Sequence, residues 1–305
     1  MNTTGIIYST TGNTSRGQVA HYHGKPSPLK LNKTAFKVDV AGLKAVEQRT
    51  AIQFDGTAFE SKFTIGMEVE KNQLSRGAVR EYEIFCGFER DGSCGYEAVT
   101  HILPLLPAGK WRTKVFDMMH KAEKIIDDRF SPSDKRCGGH ITIGVEGMTG
   151  DEIRRAMRGN AGIILSLFRK RLNSKYCGSN RRLQGQGESG INSWGGCYEY
   201  RSNEIHCKYQ TALVKRDCYE FRVPSRFESV KQMMRRYELF YEVVNFSVNK
   251  PNGSYESLLK IIKPIVLSMY NGQVDKCEEV IKLSRHFRKF ILTGEIHQEI
   301  AEFLQ

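Results

Sequence analysis

Residues 63–71, FTIGMEVEK, alternate without a break between Phe63, Ile65, Met67 and Val69 on one side and Thr64, Gly66, Glu68 and Glu70 on the other. A period of two predicts a strand, because successive side chains of a strand point to opposite faces. Glu68 and Glu70 then emerge in the same direction, about 7 Å apart along the chain. Taken alone, such a pair is most simply the wet outer face of an antiparallel sheet. Whether that holds depends on what the neighbouring strands place beside it.

Three further segments carry the same kind of pattern. GGHITIGVE sets Ile141, Ile143 and Val145 against His140, Thr142 and Gly144, and CYEFRVPSR sets Phe221 and Val223 against Glu220 and Arg222. DGSCGYEAVT runs from a turn at Asp91, Gly92 and Ser93 into a short strand with Glu97, its alternation less clean. In one sheet the apolar sides pack against helices, and the opposite face collects Glu68, Glu70, Glu97, His140, Glu220 and Arg222. Four carboxylates in one concavity repel one another unless protons or cations compensate them. Oxygen ligands with one imidazole and a nearby arginine suit Mg²⁺ or Mn²⁺ holding a phosphate chain, rather than thiolate-bound zinc. Two plainer readings stay open: Glu220 and Arg222 as a structural salt bridge, and His140 as a hydrogen-bonded core residue.

Around these strands the chain divides by pattern. Residues 1–60 are rich in Thr, Ser, Gly and His, with strand-like pieces in GIIYST and KLNKTAFKVDV, and read as an N-terminal arm or small subdomain. Residues 61–248 form the expected catalytic domain, and 249–305 a helical extension packed on it. Val115, Met118, Met119, Ala122, Ile125 and Ile126 stand at helical spacing, predicting an amphipathic helix over 111–129. Another opens at TGDEIRRAM, with Thr149 or Asp151 as cap, and is expected to run to about 173. A third covers 227–246. The tail from 254 is expected in two or three pieces, kinked or ended near Pro264, Gly272 and Gly294. Between them, five glycines in 185–196 and a single large anchor, Trp194, predict a loop of the lid type.

Composition narrows the class. The chain of 305 residues has no apolar run near the roughly 18 residues of a membrane span and no secretory leader pattern at its start, so a cytoplasmic protein without a membrane partner is the expectation. Eight cysteines are scattered without a C-x-x-C pair, and Cys197, His206 and Cys207 match no familiar zinc spacing, so buried free thiols are expected. The net charge is +12, and residues 153–182 alone hold nine Arg or Lys and no Asp or Glu. Nucleic acid, nucleotide phosphates, an acidic peptide and a solvated helix face are all consistent with that run.

In chain order, GMEVE, DGSCGYEAVT, CGGHITIG and YEFRVP resemble the signature of the amidoligases, ATP-dependent carboxylate–amine ligases grouped with glutamine synthetase and the gamma-glutamylcysteine synthetases. Members occur in bacteria and their phages, and the resemblance spans residues 63–226. It implies an α+β fold: a curved antiparallel sheet with helices on one face, whose concave side binds ATP and Mg²⁺, and a helical C-terminal part. Carried over position by position, it makes Glu68 and Glu70 metal and nucleotide ligands, with Glu97, Glu220 and His140 as further metal ligands. His140 faces the metal-bound phosphates, and Arg222 contacts the transferring phosphoryl group. Arg226, Arg181 and Arg182 are placed near nucleotide phosphates or substrate, and Asp91 and Ser93 shape the acceptor end. One departure stands out: the family commonly has two histidines spaced i, i+2, whereas Thr142 follows His140 here.

The activity implied is amide-bond formation through an acyl phosphate, with release of ADP and phosphate. The carboxylate and amine substrates include peptide- or protein-linked ones as candidates, since the basic run and glycine loop suit a large acidic partner. Two rivals accompany it. A guanidino-kinase-like phosphotransferase has related sheet chemistry, and a nucleic-acid-binding protein on an inactive ligase fold would use the 153–182 stretch.

Overall fold

A computed structural model describes residues 61–91, 94–172, 174, 211–214 and 218–304, together with the backbone of three short N-terminal strands; Asp91 is described by its backbone alone. The strands are β1 (Gly5–Ile6), β2 (Tyr22–His23), β3 (Lys37–Val38), β4 (Phe63–Lys71), β5 (Phe85–Asp91), β6 (Gly95–Thr100), β7 (Leu103–Pro104), β8 (Ile141–Val145), β9 (Ala212–Val214) and β10 (Cys218–Phe221). The α-helices are α1 (Arg76–Arg80), α2 (Lys110–Lys121), α3 (Glu123–Ile126), α4 (Gly150–Met157), α5 (Gly162–Leu167), α6 (Val230–Asn249), α7 (Tyr255–Met269), α8 (Val274–Thr293) and α9 (Gln298–Ala301). The fold class is α+β, as the sequence predicts. The chain forms two compact units: Met1–Asp151 with Lys215–Tyr219 and Arg226–Tyr237, and Glu152–Val214 with Glu220–Ser225 and Glu238–Gln305.

The first unit is built on an open sheet that includes the order β3-β5-β6-β4-β8, with β7 also paired to β4. Pairs β5–β6, β4–β6, β4–β7 and β4–β8 are antiparallel. The edge pair β3–β5 is parallel, a departure from the all-antiparallel expectation. Strands β1 and β2 make a separate antiparallel pair. With β6 on one side and β8 on the other, β4 is central, and all nine of its residues are buried. Its alternation therefore separates two buried faces, not a dry face from a wet one.

On the apolar face, Phe63, Ile65, Met67 and Val69 lie in register with Val145, Ile143, Ile141 and Ala98, and all are buried. Helix α2 contributes Val115 and Met119 to the buried core, and the turn α3 contributes Ile125 and Ile126. The helix expected over 111–129 stops at Lys121: Ala122 turns out of helical geometry (φ −90°, ψ 16°), a single turn follows, and Asp127 is extended. All the expected core positions are nonetheless buried except Met118, which is half-buried. The first half of α6 is fixed by Tyr237, whose hydroxyl donates to Pro104 O (2.5 Å) and accepts from Leu106 N (2.8 Å). Phe116 meets the same ring edge-on at 5.5 Å.

In the second unit, the helix expected to run to about 173 is broken into α4, a 3₁₀ turn at Arg158–Asn160, α5 and a further 3₁₀ turn at Arg169–Arg171. The break falls on the sequence RGNAG, where two glycines weaken the helix. Gly162 is required for another reason: a Cβ there would stand 2.5 Å from Ser284 O and 2.8 Å from Arg288 N, so α5 lies directly on the backbone of α8. Ser166 Oγ donates to Val280 O at 2.7 Å along the same contact. The tail follows the expected punctuation. Helix α7 contains Pro264 and ends before Gly272 (φ +81°), and α8 is closed by Gly294 in the left-handed region (φ +79°). Among the described residues no helix is long and apolar enough to cross a membrane.

Candidate active site

The second face of the first unit's sheet is polar and buried. Register sets Glu70 opposite Glu97 on β6, and Glu97 opposite Glu89 on β5. Residues directly opposite each other on neighbouring strands share a face, so three carboxylates stand in a row across β4, β6 and β5. They are exposed by only 3 %, 1 % and 3 %. Glu68, two residues along β4 on the same face, is buried as well. An array of this kind costs several kcal/mol per charge to desolvate unless cations or protons compensate it.

His140 closes the face from the chain entering β8. Its Nδ1 lies 2.7 Å from Glu68 Oε2, and its Nε2 lies 3.4 Å from Glu70 Oε1. The imidazole thus bridges the two carboxylates of the GMEVE strand. The backbone holds it there: Glu68 N donates to His140 O at 3.0 Å. Gly138 N donates to Glu70 Oε2 at 2.5 Å, so the two glycines before His140 let the main chain itself serve as a carboxylate partner. Thr142, the departure from the paired-histidine pattern, is buried opposite Gly66.

Supports surround this arrangement within the first unit. Asn72, just past β4, donates through Nδ2 to Cys94 O (3.3 Å) and to Asp134 Oδ2 (3.1 Å), tying the strand end to the segment leading to His140. Arg136 beside Asp134 holds that carboxyl at about 2, well below the ordinary range. Gly95, where β6 starts, has φ +125°, and a Cβ there would stand 2.6 Å from Asn72 O, so the DGSCGYE turn admits no side chain at this point. Lys71 is fully buried with its ammonium 2.6 Å from Asp128 Oδ1 and 2.9 Å from Phe227 O. Burial pushes its pKa down, against the pull of Asp128.

The remaining expected residues are distributed as follows. Arg226 in the first unit lies 3.6 Å from Asp128 and 2.6 Å from Glu228. Asp91 ends β5 opposite Gly95, while its side chain, Ser93, Arg181, Arg182 and the glycine loop with Trp194 lie outside the described residues. Glu220 and Arg222 belong to the second unit, where Arg222 Nη1 donates to Glu220 Oε1 at 2.5 Å. Salt-bridged they are, one side chain two residues from the other along the chain. Of the basic run, Arg158 donates to Ile291 O and Arg169 pairs with Glu279, so part of its charge is engaged within the second unit. The described cysteines, Cys86, Cys94, Cys137, Cys218 and Cys277, are free and buried, as expected.

Glu89 was not among the expected site residues. In FCGFERD the polar and apolar positions do not alternate, because the register shifts between Phe85 and Gly87 and moves Glu89 onto the carboxylate face. The signal available in the sequence was its phase counted back from Glu97 across the DGS turn. Oxygen donors with one imidazole match the preferences of a hard divalent cation, and the main-chain donor at Gly138 shows that the face accommodates negative charge. No protein-family model matches this chain, and no curated protein matches it.

Proposed function

We propose that the chain is an ATP- and Mg²⁺-dependent carboxylate–amine ligase of the amidoligase type, on a curved sheet of the glutamine synthetase kind. The observation that carries the reading is the buried row Glu70, Glu97 and Glu89 with His140 between Glu68 and Glu70. A fold that needed only a core would place apolar side chains there, since buried carboxylates stabilise little and cost much.

In this reading Glu68, Glu70, Glu97 and His140 hold divalent ions. The resemblance to the amidoligases adds Glu220 to these ligands. Bound Mg²⁺ supplies neutralisation and orientation of the ATP phosphates. Arg222 spreads the charge of the transferring phosphoryl group, and Glu220 keeps its guanidinium oriented until then. Burial of these side chains keeps bulk water from the face, which protects an activated carboxyl from hydrolysis until the amine attacks. Cytoplasmic bacterial or phage origin and a peptide- or protein-linked substrate remain part of the proposal.

The test is a cell extract incubated with the protein, Mg²⁺ and ATP, followed by mass spectrometry. The expected outcome is ADP and phosphate, formed together with products lighter than the sum of two reactants by one water. Formation of AMP and pyrophosphate, a stable phosphorylated product, or turnover unchanged in Glu220→Ala would overturn the reading.

A further inference from the structure

The left-handed turn at Gly294 folds the chain back on α8, and the short helix α9 then docks through Ile300 and Leu304, both buried. Phe303 adds a tilted contact with Phe287 at 6.5 Å. This docking lays His297 and Glu299 beside the face of α8 that carries Lys282 and His286, one turn apart. His286, His297 and Glu299 each offer a ligand atom, and these atoms all lie within 4.8 Å of one another. None of the three belongs to the carboxylate face of the first unit.

One distance favours a shared ion over a direct hydrogen bond. His286 Nε2 and Glu299 Oε1 are 3.9 Å apart, too far for a hydrogen bond. The spacing suits two donors about 2.0–2.2 Å from one cation. Lys282 takes the other carboxylate oxygen, Oε2, at 2.7 Å and so leaves Oε1 turned toward His286. The imidazoles of His286 and His297 are stacked, with centroids 3.7 Å apart and planes 9° from parallel. Stacked rings do not point their nitrogens at one point, so loading requires one ring to turn out of the stack. Partial exposure of all three side chains permits that turn. His297 Nδ1 accepts the Glu299 N–H at 3.2 Å, a long cap bond that ion binding competes with.

The geometry points to a zinc-class site formed by His286, His297 and Glu299. Two imidazoles and one carboxylate select a borderline divalent ion such as Zn²⁺ over Mg²⁺. Three protein ligands leave a fourth position open to water or to a donor from another molecule. The bound ion joins α9 to α8 across the Gly294 turn.

Zinc uptake by the full-length apo protein, measured by competition with a chromogenic zinc chelator, tests the site. The comparison is with His286→Asn/His297→Asn; asparagine at 297 keeps a capping side chain while removing the imidazole. Wild type is expected to take up about one more zinc per chain than the double variant, and Glu299→Gln to weaken uptake by about tenfold or more. Equal uptake by wild type and double variant, or none by either, overturns the assignment. A readout that needs no variant is the histidine side-chain NMR spectrum of the wild type. Zinc is expected to shift the rings of His286 and His297 and leave those of His101 and His120 in place; the reverse, or no shift, also overturns it.

Discussion

Asp134 shows how a single residue outside the carboxylate face steadies it. Its carboxyl is held at about 2 by Arg136, and it accepts from Asn72, which follows the strand bearing Glu68 and Glu70. A carboxyl whose pKa is lowered on folding contributes stability above its ordinary value of 3.8, and that contribution is lost as pH falls toward about 2. The side chain is 41 % exposed, so screening keeps the effect small. Asp134→Asn is therefore expected to lower stability at pH 7 by under about 1 kcal/mol. Denaturant unfolding across pH is expected to show the gap between variant and wild type closing in the acid range; a gap of constant size at every pH would contradict the linkage.

At the scale of elements, Gly162 marks where packing overrides local preference. Between α4 and the start of α5 the chain carries Gly159 and Gly162, and α8 lies against the second of them. Gly162→Ala improves intrinsic helix propensity, yet its Cβ would meet main-chain atoms at 2.5 and 2.8 Å. Overpacking of this kind costs about 1–3 kcal/mol, so a lowered Tm in calorimetry is expected; an unchanged or raised Tm would show that α5 and α8 yield easily. The same contrast explains what was legible in the sequence. Strand β4 declared itself because its period of two runs through nine residues, so Glu68 and Glu70 follow from alternation; His140 follows from the pattern of β8 continued one residue back, and Glu97 from the shorter and less regular pattern of β6. Glu89 did not, because the irregularity between Phe85 and Gly87 interrupts the phase of β5. The stop at Ala122 was hidden as well, since nothing in its local composition favours an ending and the buried positions continue past it. His286, His297 and Glu299 come together only through the turn at Gly294, which no periodicity encodes.

For the molecule as a whole, a sheet that buries Glu68, Glu70, Glu89 and Glu97 on one face needs a compensating charge. Unless cations or protons compensate it, the row Glu70, Glu97 and Glu89 opposes folding, so a cation that binds the folded chain alone would add its binding free energy to stability. The most direct measurement is calorimetric titration of Mn²⁺ into the protein in the presence of a non-hydrolysable ATP analogue, with wild type compared with Glu97→Gln in a His286→Asn/His297→Asn background that removes the other candidate site. The expected result is nucleotide-dependent Mn²⁺ uptake in wild type that falls by about tenfold or more in the folded Glu97→Gln protein. Uptake of equal strength in both proteins, or none in either, would contradict a divalent-cation role for the buried face.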